Sequence, residues 1–227
     1  MDSLLDLSER LYLDVAGFAH STPHWFQWLA EVWTELGLLL FGVLFLAGWW
    51  RSREGSSRMM ALALLAPLAT AFGYVVSEAL KSLIDEERPC RAVVGAPAAL
   101  VDCPAYGDWS FPSNHSAIAG AAAVALALSW RGMVWLTVPM ALLMAFSRVF
   151  VGVHYPHDVT VGLLVGAVVA FLVMRLGERP VRSLVETARS SRNRTVLWCA
   201  GRGVGAHSAA HAPAHAERRE RARHGAY

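Results

Sequence analysis

Three short stretches of this sequence carry residues that could do chemistry together. Lys81 is followed by Arg88 and Pro89; Pro112, Ser113, Asn114 and His115 are consecutive; Ser147-Arg148 precedes His154 and then Asp158. Lys81, Arg88 and Arg148 supply three positive charges with directional N–H groups. Guanidinium forks match phosphate oxygens, and an ammonium acts as a movable point charge. Ser113 and Ser147 add hydroxyl donors. If Ser113 and Asn114 open a helix, its free backbone N–H groups can face an anion too. Such a set reads as a phosphate cradle, and phosphoryl transfer asks for little beyond positioning and charge stabilisation. The spacing of His154 and Asp158 suits a carboxylate that fixes the imidazole tautomer, which makes His154 a nucleophile able to form a phosphohistidine. His115 is then the general acid that protonates the departing oxygen and afterwards activates water. Neither clustered carboxylates nor Cys/His spacing supplies a metal site, so a reaction without metal or cofactor is expected. Taken singly, each residue has an ordinary reading: a histidine caps a helix end, an arginine snorkels, Lys81 pairs with Glu78 or Asp85. His20, His24 and His157 fall in that class.

Residues so far apart in the chain meet only if the intervening segments bundle. Of the 227 residues, 55% are hydrophobic and 17% charged, against roughly 25% charged in soluble domains. This excludes a disordered chain and points to an integral membrane protein. The net charge of +2 is too small to suggest nucleic acid as a partner. Apolar runs cover 28–50, 59–80, 116–130, 132–153 and 158–176. A hydrocarbon core about 30 Å thick takes roughly 20 helical residues. The expected fold is therefore all-α, a membrane bundle of about five spanning helices. The third run is short and needs residues before Ser116, and Glu31 and Glu35 place the start of the first near an interface or against other helices. Ahead of them, Leu4, Leu7, Leu11, Val15 and Phe18 recur every three or four residues, the pattern of an amphipathic helix lying on the membrane or against the bundle. Pro23 marks its end.

Three regions follow: 1–24 as the amphipathic helix, 25–178 as the membrane-embedded part, and 179–227 as a basic, largely disordered tail. Arg51, Arg53 and Arg58, then Arg131, then the arginines from Arg175 onward lie in segments that five spans put on one side, which the positive-inside rule makes cytoplasmic. The three chemical stretches then face outward. From about Thr195 the chain is rich in Ala, Gly, His and Arg and reads as disordered. Cys90 and Cys103 share the outward loop and fit a disulfide, though spacing alone leaves the pairing open. Cys199 lies in the tail. Nothing in the sequence specifies an oligomeric state.

Order and spacing of the three stretches resemble the signature of the type 2 phosphatidic acid phosphatase superfamily: Lys-x6-Arg-Pro, Pro-Ser-Gly-His and Ser-Arg-x5-His-x3-Asp. Lys81, Arg88 and Pro89 match the first part; Pro112, Ser113 and His115 the second; Ser147, Arg148, His154 and Asp158 the third. The resemblance covers about 28–176. It implies an attacking His154 supported by Asp158, His115 as the acid, and Lys81, Arg88, Arg148 and Ser113 on the phosphate. Asn114 stands where that family usually has Gly. A polar residue there is similar to bacterial undecaprenyl-diphosphate phosphatases of the superfamily, as are the five-span layout and the N-terminal helix. The expected activity is hydrolysis of the terminal phosphate of a polyprenyl diphosphate, with the membrane and the lipid as partners. Phosphatidic acid, phosphatidylglycerol phosphate and diacylglycerol diphosphate are the alternative substrates, and a silent lipid-binding or transport protein is the non-enzymatic reading.

Overall fold

Helix sets in at the start of the chain. The computed structural model describes residues 2–203, and among them there is no strand. Helix α1 (Asp2–Ser21) is followed by α2 (His24–Ser52), α3 (Ser57–Lys81), the single turn α4 (Pro89–Ala92), α5 (Asn114–Ser129), α6 (Val134–Phe150), α7 (Pro156–Arg189) and α8 (Arg194–Ala200). In α1, Ser8, Tyr12, Ala16 and Ala19 are buried, while Leu4, Leu7, Leu11 and Phe18 are left uncovered. The polar-tempered stripe packs on the protein and the leucine stripe faces away from it, as in a helix that lies at an apolar boundary. Pro23 adopts extended backbone and starts α2.

Four helical stretches, His24–Ser52, Ser57–Lys81, Arg131–Phe150 and Pro156–Arg189, are long and apolar enough to cross a membrane. Helix α5, with 16 residues, spans only about 24 Å. The structure adds just Asn114 and His115 to the apolar run. Its role is central: Ala117, Ala119, Ala121, Ala122 and Ala125 have no exposed surface. Ala119, Ala122 and Leu126 pack with Phe41, Met140 and Met144 on one side. Ala121 and Ala125 pack with Leu65, Ala69, Ala170 and Met174 on another. A helix of small residues lets its neighbours approach to backbone distance, the usual device where lipid offers no hydrophobic driving force. A Cβ added to Gly166 would overlap the carbonyl of Ala117, and one on Gly120 the carbonyl of Leu163. Helices α5 and α7 therefore touch through their main chains.

Two expectations need correction. The fifth apolar run does not end its helix at 176: α7 continues to Arg189, because Val181 and Val185 carry its apolar face on against Met60 and Ala61. Nor is the chain irregular from Thr195, since Arg194–Ala200 is helical, with the Asn193 side chain accepting from the Thr195 and Val196 amides. Arg189 fastens this end by donating to the carbonyls of Ser52, Gly55 and Ala200, and Arg53 stacks on Trp50 and Trp198. Residues 204–227, which hold the final part of the expected tail with its histidines, lie outside the described residues.

Gly166→Ala is expected to lose about 1–3 kcal/mol through overpacking, read as a lower Tm in detergent. Gly42→Ala, where an added Cβ meets nothing, should leave Tm unchanged or slightly raised.

Candidate active site

The C-terminal ends of α3 and α6 and the N-terminal ends of α5 and α7 share one end of the bundle. The link 151–155 joins α6 to α7, and the long loop from Ser82 to Ser113 covers the same end. That loop is cross-linked by a Cys90–Cys103 disulfide, and Arg91 clips it further by donating to the carbonyls of Pro104 and Ala105. Leu100 N donates to Val151 O at 3.0 Å, tying loop to link.

His154 lies in the link and is 1% exposed. Its Nδ1 is 3.3 Å from Asp158 Oδ2 and 3.4 Å from Ser110 Oγ. Its Nε2 accepts from Arg88 Nη1 at 3.1 Å. With an anion on one ring nitrogen and a guanidinium on the other, the proton belongs on Nδ1, and Nε2 presents a free lone pair to the cations. Burial pushes the imidazole pKa down to about 3, against the upward pull of Asp158 and with the help of Arg148 and Arg88. The ring is neutral, as an attacking nitrogen must be.

Asp158 is completely buried and held from several directions. Oδ2 accepts from the Tyr155 amide at 2.8 Å and from the Ser110 hydroxyl. Oδ1 is 3.1 Å from His157 Nε2 but has no hydrogen-bond partner. His157 Nε2 also lies 2.8 Å from Glu86 Oε1, and its Nδ1 is 2.7 Å from the Ser8 hydroxyl. Glu86, His157 and Asp158 thus bring ligand-capable atoms within 4.8 Å of one another. A proton on Nε2 between the two carboxylates accounts for that cluster.

The cations are distributed unequally. Lys81 Nζ and Arg88 Nη2 both donate to one oxygen of Asp108, at 3.2 and 2.9 Å. Arg88 also donates through Nε to the Asp108 carbonyl at 2.7 Å and through Nη1 to the Val153 carbonyl at 3.1 Å. Partial burial alone would raise the Asp108 carboxyl, but the bonds and charges of Arg88 and Lys81 hold it below the usual carboxylate range. Arg148, 6% exposed, donates Nη1 to the Thr34 hydroxyl at 3.0 Å. Its Nε is buried without a partner.

Of the remaining residues expected at the site, Ser113 is fully buried and its amide donates to Asp158 O at 3.1 Å. His115 lies 4.0 Å from Glu35, in the field of Arg148, Lys81 and Arg88. Two side chains turn elsewhere. Asn114 accepts from Ser77 Oγ at 2.7 Å and donates to Glu78 at 2.5 Å, so it joins α5 to α3. Ser147 donates to Met144 O at 2.8 Å and lies 3.3 Å from Thr34 Oγ1, which braces α6 on α2. Asp108, Ser110, Thr34 and Glu86 carry no signal in the sequence, where nothing about their spacing marks them, and Glu35 is marked there only as a charge near an interface or a helix contact.

The model of the PAP2 superfamily matches residues 61–182. The chain belongs to this superfamily. It is a lipid phosphatase of the PAP2 kind, a membrane-embedded hydrolase. It is 32% identical to the undecaprenyl-diphosphatase BcrC of Bacillus subtilis over 67% of this chain and 76% of that protein. It is 31% identical to the decaprenylphosphoryl-5-phosphoribose phosphatase of Mycobacterium tuberculosis over 71% of this chain and 77% of the relative. The fold is similar to the crystal structure of a transmembrane PAP2-type phosphatidylglycerolphosphate phosphatase from Bacillus subtilis, with a TM-score of 0.58, 22% identity, and coverage of 79% of this chain and 88% of the other.

For this PAP2 phosphatase, the buried neutral ring has a direct check. In ¹⁵N-histidine spectra of the detergent-solubilised protein, His154 should keep an unprotonated Nε2 as the pH falls through 6.5, because its pKa is lowered to about 3. Protonation near pH 6.5 would contradict the burial and tautomer described above.

Proposed function

We propose that this phosphatase removes the terminal phosphate of undecaprenyl diphosphate or a related polyprenyl diphosphate, through a phosphohistidine on His154. The observation that carries the phosphate reading is Arg148. A buried guanidinium with an orphaned Nε and no carboxylate within ion-pair distance among the described residues is costly unless an anion completes it. A phosphate set between Arg148 and the Lys81–Arg88 pair would do so. The polyprenyl diphosphate reading draws its support from the BcrC relative, whose name states that substrate.

In this scheme the terminal phosphate takes its hydrogen bonds from Arg88, Arg148 and Lys81, and Arg88 Nη1 moves from His154 Nε2 onto a phosphate oxygen. The freed lone pair of Nε2 attacks phosphorus, and the bond to the bridging oxygen breaks. The bound phosphate offsets the cations around His115, which takes a proton from solvent and gives it to that oxygen, so the polyprenyl monophosphate leaves. The ring now carries phosphorus on Nε2 and hydrogen on Nδ1, and Asp158, fixed by Ser110 and Tyr155 N, balances the positive charge. A water molecule then gives its proton to His115 and attacks phosphorus, releasing inorganic phosphate and restoring neutral His154.

Arg51, Arg53, Arg58 and Arg131 lie in the helix ends and links at the other end of the bundle. The positive-inside rule makes that end cytoplasmic and the site outward-facing, where hydrolysis would return a spent lipid carrier of cell-wall synthesis to its monophosphate form. The chain of such a substrate stays in lipid while its headgroup reaches the cations.

Phosphate release from purified protein in micelles should be faster with undecaprenyl diphosphate than with phosphatidic acid, phosphatidylglycerol phosphate or diacylglycerol diphosphate; the reverse order would overturn the substrate assignment. His154→Ala should abolish turnover and the acid-labile ³²P label that the wild type acquires from labelled substrate. Arg148→Ala should raise the barrier by about 2.7–4 kcal/mol, by analogy with oxyanion-hole deletions, seen as a fall in kcat.

A further inference from the structure

Resting on the phosphate-site reading above, we infer that Asp108 is a built-in competitor for that site: its carboxylate occupies the place of a phosphate oxygen when the site is empty and swings aside when substrate binds. The geometry is specific. A single oxygen, Oδ1, receives Lys81 Nζ and Arg88 Nη2 together. This is the bridging position that a phosphate oxygen would take between an ammonium and a guanidinium fork. Lys81 and Arg88 are almost wholly buried, whereas the Asp108 side chain is half exposed. The carboxylate therefore has open solvent to turn into while the cations stay in place.

The backbone is arranged for that rotation. Asp108 O is held by Arg88 Nε at 2.7 Å, and Asp108 N donates to Ala105 O at 3.1 Å across a turn. Gly107, at φ +90°, supplies the left-handed residue that this turn requires. Main-chain contacts can thus persist while only χ1 and χ2 of Asp108 change. The carboxyl is held below its usual range, so it is an anion throughout the neutral range. With Asp108 on Lys81 and Arg88, Arg148 is the cation that an arriving phosphate finds open. Once phosphate has docked there, one negative charge must leave the shared pair. The same charge re-enters after hydrolysis and favours release of inorganic phosphate.

A merely structural aspartate, one that only orients Lys81 and Arg88, predicts the opposite sign, and this makes the test decisive. Inhibition constants for inorganic phosphate and orthovanadate are measured on the purified protein in micelles, together with KM for its lipid substrate. Asp108→Asn and Asp108→Ala should lower both inhibition constants about ten-fold or more, because a negative charge a few ångströms from the bound anion is removed; KM should fall with them. Asp108→Glu keeps the charge on a longer arm, and its inhibition constants should fall less than those of either neutral variant. Constants that stay the same or rise in the Asn and Ala variants overturn the inference. If wild type is inhibited by vanadate, Arg148→Ala is not, and the Asp108 variants bind no tighter, this inference fails alone. If neither anion inhibits the wild type, the phosphate-site reading fails as well.

Discussion

One main-chain contact sets the geometry of the site: Ser113 N donates to Asp158 O at 3.1 Å. It joins the residue that precedes α5 to the first turn of α7, and it forms only because these helices lie backbone to backbone. Gly162 and Gly166 of α7, facing Ser113 and Ala117, and Gly120 of α5, facing Leu163, leave no room for a side chain. The close approach is what matters: alanine at any of these positions would force the two helix ends apart. The His115 stretch would then part from His154 and Asp158. The alanine and glycine content of α5, which looks like plain apolar filler, is what lets chemistry assemble at its end.

The same end of the bundle gathers charge that the apolar interior tolerates poorly. Lys81, Arg88, Arg148 and Asp158 are all buried, and isolated ions in such surroundings cost several kcal/mol each. The structure offsets this by pairing. Asp108 serves two cations, and Asp158 draws on Ser110, the Tyr155 amide and the His154 ring. Arg148 is the exception, and its incompleteness is the clearest mark of an anionic ligand.

How far the sequence revealed this depends on what kind of signal each part carries. Apolar runs mark helices in lipid because the bilayer imposes length and composition together, so the helical architecture was legible. Lys81, Arg88, Arg148, His154 and Asp158 stood out because ionisable residues at span ends demand a reason. The supporting residues had no such signal. Asp108 and Ser110 sit in an irregular loop whose path no periodicity encodes, and His157 looked like an ordinary helix-end histidine. Asn114 and Ser147 were placed on the phosphate by their neighbours in the chain, yet their side chains satisfy Ser77, Glu78, Met144 and Thr34. Side-chain direction at a helix end depends on which helix packs alongside. The extension of α7 to Arg189 was hidden because charged residues break its apolar run while Val181 and Val185 continue the buried face.

Helix α1 links its surroundings to this end of the bundle. Its Ser8 hydroxyl reaches His157, whose ring lies against Asp158; Tyr12 donates to Gly152 O in the link that carries His154; His20 reaches Ala98 O in the loop. On its far side are the uncovered leucines. A push or pull on those leucines is therefore delivered to both ends of the His154–Asp158 pair. On the proposed reading of the site, headgroup packing and lateral pressure around α1 would bear on the reaction centre, and the amphiphile in which the protein is dissolved would act as a component of the catalyst.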